Sequence, residues 1–260
     1  MWNQLRGLWE NRRFDNALQV MLDRIAGRAT GLTVYRLGEY RILVDHRAED
    51  QIGTRLCLVD GIYEGLLGKV SLPHRLSVLD LGANGGGFPL VLGAMGHTFE
   101  LLVCVELNPN TCARLVFNIG SNLGRQHVVL NAGVAGASGE ISRSFGPGSV
   151  SERVERAGPP DVTPERVPLL TFDDIVQRGG FANGIDLCKI DIEGAEFDVL
   201  CGSTATSLAQ CRHLLIEFHD PDGDGNARAK TALSRLGFEQ VGTVRRQYEV
   251  GLFTRTRGDS

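Results

Sequence analysis

From Ser77 onward, short apolar runs that end in Gly, Asn or an acidic residue alternate with segments of helix length. The runs are SVLDL, ELLVCVE, HVVLN, IDLCKID and HLLIEFH. Apolar residues at successive positions predict strands buried on both faces, and their alternation with helices predicts βαβ units in a doubly wound parallel sheet. Asn108 followed by Pro109 marks a helix start. Phe197, Leu200 and Cys201 keep helical spacing before Gly202, and Asn226 to Leu236 stops at Gly237. FEQVGTV and QYEVGLFT then predict a C-terminal antiparallel hairpin closing the sheet. Upstream, over residues 1 to about 28, Leu18, Met21, Leu22 and Ile25 predict an amphipathic helix or helix pair that caps the core, and Thr33 to about Leu58 reads as a β-hairpin. The expected organisation is an N-terminal helix and β-hairpin extension over 1–60 and a mostly parallel α/β domain over 61–260. Gly136 to Pro168 carries little periodicity and reads as a long loop or lid, with SERVER forming one or two exposed helical turns.

The 260 residues, 42% hydrophobic and 22% charged, suit one folded core, which argues against disorder. A net charge of −4 with mixed signs leaves no basic stripe, so nucleic acid is not an expected partner. Apolar runs such as Leu101 to Val105 stop far short of the roughly 18 to 20 residues a membrane helix needs. Arg6, Glu10, Arg12 and Arg13 break up the N-terminal apolar residues, so no secretory leader is read and a cytoplasmic protein is expected. Six scattered cysteines without a C-x-x-C pair fit the same compartment as buried thiols and argue against zinc. The 33 glycines matter through their position at strand ends.

VLDLGANGGGF, residues 78 to 88, runs from a strand through a glycine turn into a helix. Such a turn lets backbone N–H groups approach a nucleoside or dinucleotide closely. Asn84 replaces the second glycine of G-x-G-x-x-G, which weakens a pyrophosphate reading, and no Lys-Ser/Thr follows to make a P-loop. Asp80 suits a cationic or hydroxyl-bearing ligand, such as the aminocarboxypropyl end of S-adenosylmethionine. Glu106 ends the next strand, where a carboxylate can accept from ribose hydroxyls.

On these residues the chain resembles the FkbM family of S-adenosylmethionine-dependent methyltransferases. The resemblance runs over roughly 60 to 220. It is carried by Tyr63-Glu64, Asp80 to Gly86, Glu106 with Asn108-Pro109, Thr171-Phe172-Asp173-Asp174, Lys189-Ile190-Asp191-Ile192-Glu193-Gly194-Ala195-Glu196 and Glu217-Phe218-His219. The resemblance implies a class I methyltransferase fold, a Rossmann-like seven-stranded sheet with one antiparallel strand, and O-methylation of a sugar or natural product. It also implies cofactor contacts at Glu64, Asp80, Gly82, Ala83, Asn84, Gly86, Glu106, Leu107, Asn131 and Asp191. Phe172 departs from the family's leucine, and the 136–168 segment is longer than expected.

On the strand read here, Lys189, Asp191 and Glu193 point one way and Ile190 and Ile192 the other, and charges at a sheet's carboxyl end indicate a ligand crevice. Methyl transfer asks the protein to align an acceptor oxygen and remove its proton. Asp191 and His219 are the candidate bases, with Lys189 and Glu193 beside them in the catalytic group. Asp191, Glu217, His219 and Asp220 form an alternative in which Mg2+ lowers the acceptor's pKa. Asp220 to Gly225 imitates an EF-hand start but meets Thr231 where the loop needs Glu, so it reads as a polar turn. The expected partner is a small-molecule or glycan hydroxyl acceptor, with homo-oligomer formation open. A nicotinamide-dependent oxidoreductase, disfavoured by Asn84 and by the lack of a Tyr-x-x-x-Lys pair, and a non-catalytic adenosyl-cofactor binder are the alternatives.

Overall fold

The computed structural model describes residues 11–26, 31–48, 51–148, 161–202, 205–220, 224–245 and 247–256. Seven strands form the central sheet: β3 (Arg75–Leu81), β4 (Thr98–Glu106), β5 (His127–Asn131), β9 (Ile185–Ile190), β10 (Cys211–Phe218), β11 (Phe238–Arg245) and β12 (Glu249–Arg255). Their order is β11-β12-β10-β9-β3-β4-β5, with β12 antiparallel to both neighbours and the pairs from β10 to β5 parallel. This is the α/β class I methyltransferase architecture. The predicted C-terminal hairpin forms, but its second strand inserts between β10 and β11, so β11 and not β12 is the sheet edge.

Alternate residues of the inner strands enter opposite cores. Leu79 and Leu81 pack on one face with Val103, Ile190 and Ile216, while Leu76 and Val78 pack on the other with Leu102, Leu187 and Leu215. The second core also contains Phe14, Tyr35, Ile42, Leu58, Tyr63 and Leu66, so the N-terminal elements are packed on that face of the sheet. Among these elements, β1 (Leu32–Leu37) and β2 (Tyr40–Asp45) make the expected hairpin. After it the chain is helical and not β: a π-turn at Gln51–Leu56 leads into α2 (Cys57–Asp60) and α3 (Ile62–Leu67). Helix α1 (Ala17–Ile25) forms as predicted, but Leu18, Leu22 and Ile25 are exposed, and Val20 is the residue that enters the core. The cap is therefore made by a different face from the one its periodicity indicated.

The 136–168 segment is not irregular throughout. β7 (Gly139–Arg143) pairs with β8 (Glu165–Leu170), which also takes β6 (Gly133–Val134), giving a small three-stranded sheet. SERVER, at 151–156, lies outside the described residues, as does most of the polar turn at 221–223. Four cysteines are buried as expected, whereas Cys57 is intermediate and Cys201 exposed. Among the described residues no helix is long and apolar enough to cross a membrane.

Candidate active site

Helices α4 (Gly87–Ala94) and α5 (Pro109–Asn122) follow β3 and β4, and their starts flank the carboxyl edge of the sheet. Asn108 caps α5, its side chain accepting from the backbone of Asn110 at 2.9 Å and Thr111 at 3.4 Å. The β3–α4 turn depends on left-handed backbone at Gly82 (φ 76°) and Asn84 (φ 49°). A Cβ at Gly82 would lie 1.8 Å from the Asp191 carbonyl oxygen, so this turn and the end of β9 touch backbone to backbone. Asn84, out of place in a dinucleotide fingerprint, suits this conformation and accepts from the Gly85 N–H at 2.7 Å and the Thr54 hydroxyl at 3.2 Å. Wholly buried Asn118 of α5 braces the turn from outside, donating to the Gly85 carbonyl at 2.7 Å and to Leu43 of β2 at 3.0 Å.

A cavity of about 330 Å³ opens above this edge, a volume within the ordinary range for small-molecule sites. Gly82, Ala83, Asn84, Glu106 and Leu107 line one end, and Lys189, Asp191, Glu193, Glu217 and His219 the other. Glu106 accepts from the Asn84 N–H and the Asn108 N–H, both at 2.9 Å, and so locks the two turns together. Of the other residues expected at the cofactor, Glu64, Asp80, Gly86 and Asn131 do not line the cavity. Asn131 donates to the carbonyls of Glu106 and Leu107, at 2.9 and 3.0 Å, and supports the wall from behind. Gly86 is the N-cap of α4, and Glu64 is on α3 with its Oε2 buried and unbonded.

Asp80 is wholly buried because the parallel register sets it directly beside Lys189 on β9. The Lys189 ammonium is 3.6 Å from Asp80 Oδ1, a charge contact beyond hydrogen-bond length, so both Asp80 oxygens lack a hydrogen-bond partner. Burial pushes the Asp80 carboxyl up to about 6 against the pull of Lys189. Lys189 itself donates to Asp191 Oδ2 at 2.8 Å and to the Gly82 carbonyl at 3.3 Å. Burial alone would lower the lysine's pKa, but Asp191 and Asp80 outweigh it and hold the ammonium charged.

Glu193 does not arrive by strand alternation, since β9 ends at Ile190 and Glu193 sits in the left-handed region (φ 56°). This turn brings its carboxylate to 3.5 Å from His219 Nε2, beside Asp191 and Glu217 at 3.7 Å each. The other ring nitrogen, Nδ1, is 2.6 Å from Glu196 Oε1. Burial would lower the imidazole's pKa, yet the Glu196 hydrogen bond and the charges of Asp191, Glu196 and Glu193 raise it to about 9. Burial, then the Asp191 charge, raises Glu217 to about 7.

Asp191, Glu196 and His219 each offer an atom within 4.8 Å of the others, as a metal site requires. The donors do not fit magnesium, which takes oxygens left open to it. Glu196 commits its oxygens to Ile192 N–H, Gly194 N–H and His219, and Asp191 Oδ2 is held by Lys189. Asp220, the fourth expected ligand, instead accepts from the Asn226 N–H at 3.0 Å near the start of α8 (Asp224–Arg235).

Sequence reasoning passed over the N-terminal wall of the cavity, Cys57, Asp60 and Ile62, and over Gln247 and Tyr248 from the β11–β12 turn. Local pattern carries no signal for either, because both reach the site only through packing and strand insertion. The Thr171-Phe172-Asp173-Asp174 box serves the fold. Thr171 and Asp174 make a reciprocal capping box on α6 (Phe172–Gly179), and Asp173 accepts from Thr206 and Ser207.

A family profile described as the methyltransferase FkbM domain matches residues 80–246. The AMB antimetabolite synthetase AmbE of Pseudomonas aeruginosa is 27% identical over 226 residues, 70% of this chain but 10% of that protein. The chain thus spans about a tenth of that relative's length. The hexuronic acid methyltransferase AglP of Haloferax volcanii is 26% identical over 202 residues, covering 76% of this chain and 74% of its own. Among solved structures, P. horikoshii TYW2 in complex with MeSAdo superposes with a TM-score of 0.50 at 11% identity, over 90% of this chain and 80% of that one. That likeness shows the fold.

Proposed function

The chain belongs to the methyltransferase FkbM family, and from that premise we propose that it O-methylates a hydroxyl group on a sugar or natural product. The observation that carries the reading is His219 Nε2, 3.5 to 3.7 Å from three carboxylates in the cavity that the glycine turn and Glu106 also line. The hexuronic acid methyltransferase relative favours an acceptor of the sugar class.

The residues at the glycine-turn end fit S-adenosylmethionine. Gly82, Ala83 and Asn84 present little side-chain bulk to the cavity where an aminoacyl group would lie, Glu106 sets a carboxylate on its wall suited to a ribose diol, and Leu107 and Val134 offer apolar surface to adenine. When bound, the cofactor supplies a methyl group already activated by its sulfonium charge. The protein's work is therefore orientation and proton removal. Lys189 fixes Asp191 from below through the 2.8 Å bond, which directs Asp191 Oδ1 toward His219. His219, in the neutral form that grows as pH rises toward about 9, takes the acceptor's proton at Nε2, and the carboxylates of Asp191 and Glu193 stabilise the imidazolium that results.

Calorimetric titration with S-adenosylhomocysteine, with NAD as control, tests the cofactor half of this reading. Saturable binding of S-adenosylhomocysteine alone is expected, and Glu106→Ala should weaken it by about tenfold or more, the worth of a charged hydrogen bond. Wild-type affinity in that variant, or NAD binding instead, would refute the assignment. Mass-spectrometric detection of a 14-dalton gain on members of a hydroxyl-compound panel, about the mass of one CH₂, tests the acceptor half.

A further inference from the structure

Glu196 has no part in the chemistry above, yet both of its carboxylate oxygens are held by hydrogen bonds within the site. Its carboxylate is wholly buried, where a charge is costly unless fully hydrogen-bonded. Oε1 accepts from the Ile192 N–H at 3.1 Å and meets His219 Nδ1 at 2.6 Å, and Oε2 accepts from the Gly194 N–H at 2.7 Å. The residue opens helix α7 (Glu196–Cys201), so the left-handed turn at Glu193 and Gly194, the helix start and the imidazole are tied through one side chain. From the β11–β12 turn, the Tyr248 ring lies against the imidazole, centroids 4.5 Å apart, and limits its rotation.

We infer that Glu196 is the positioning residue for His219, holding the proton on Nδ1 and leaving Nε2 as the proton-accepting atom that faces the cavity. The inference rests on the reading of His219 as the acceptor's base. A carboxylate at Nδ1 selects the tautomer whose lone pair is on Nε2, because an ionised carboxylate can only accept. The same negative charge favours the imidazolium once the acceptor's proton has arrived. The groups facing His219 are Glu196 on α7, Asp191 and Glu193 after β9, Glu217 on β10 and Tyr248 after β11. Of these, Glu196 makes the shortest contact with a ring nitrogen, 2.6 Å at Nδ1.

Long-range 1H–15N correlation spectra of the histidine rings, recorded across the pH range on the full chain, read the tautomer and the titration without any turnover. In the wild type the neutral His219 ring is expected to carry its proton on Nδ1 and to titrate near about 9. In Glu196→Gln the midpoint should fall by at least about one unit and the Nδ1–H preference should be lost, while Glu196→Asp restores part of both. A purely structural role would lower thermal stability and leave the ring's tautomer and titration where they were. Either an Nε2–H wild-type tautomer or a folded Glu196→Gln protein with unchanged His219 titration overturns the inference. Should Glu196→Gln fail to fold, the wild-type tautomer decides by itself. Titration of the same wild-type sample with S-adenosylhomocysteine separates the two levels: absent binding counts against the methyltransferase reading, whereas the ring tautomer bears only on Glu196.

Discussion

Lys189→Met isolates the electrostatic linchpin of the sheet edge, because it removes the cation that, among the described residues, faces both Asp80 and Asp191 while keeping most of the side chain's volume. With an effective dielectric near 20, contacts of 3.6 and 2.8 Å correspond to roughly 5 and 6 kcal/mol of attraction, against which the lysine's own desolvation must be set. Breaking one partner out of a buried pair costs about 3 to 5 kcal/mol, and Asp80, wholly buried, has no water to turn to. It can escape only by taking a proton. Its carboxyl already sits at about 6 in the folded wild type, above the ordinary value of 3.8, and loss of Lys189 drives it higher. A carboxyl raised on folding contributes stability below its unfolded pKa, and that contribution is lost as pH rises through the folded value. The cost of the substitution should therefore be largest near pH 8 and shrink toward pH 5, over the window set by about 4 and about 6 or higher. Urea unfolding of both proteins at the two pH values measures the difference. A cost that is the same at both, or below about 1 kcal/mol at pH 8, would show that the Asp80–Lys189 register is not the energetic feature argued above.

Two further substitutions separate residues that shape the cavity from residues that only hold the fold. Gly82→Ala must relieve a 1.8 Å contact with the Asp191 carbonyl besides a positive φ, so it should cost more than about 3 kcal/mol and abolish S-adenosylhomocysteine binding. Gly96→Ala, with φ 91° but open space around its Cβ, should cost only the backbone strain of about 1 kcal/mol and bind normally; equal behaviour of the two in thermal melts and calorimetry would refute the close-approach argument. Asp174→Ala removes half of the α6 capping box and should lower the midpoint of chemical denaturation, with cofactor affinity unchanged. A loss of affinity there would place the box in the site after all.

The amino-acid sequence by itself determined the strands, helix starts and glycine turn of the central sheet, because each is encoded within a few residues. Apolar runs at consecutive positions mark strands buried on both faces, Asn108-Pro109 is a complete helix start, and Asn84 and Gly82 are residue types that tolerate left-handed backbone. Period alone misled where burial depends on what lies opposite. The stripe Leu18, Leu22 and Ile25 faces outward on α1, and Glu193 leaves the alternation of β9 through a left-handed turn. Only the tertiary structure decided that Asp80 and Lys189 would be neighbours, since that follows from the parallel register of β3 and β9, strands more than a hundred residues apart in the chain. It also decided the composition of the site. Insertion of β12 between β10 and β11 brings Tyr248 onto His219, and packing of the N-terminal helices on the same face of the sheet brings Cys57 and Asp60 to the cavity wall. Glu196 is the clearest case: its spacing gives it to a helix start, but its partner comes from the next strand, and a hydrogen bond between two elements leaves no local trace in either.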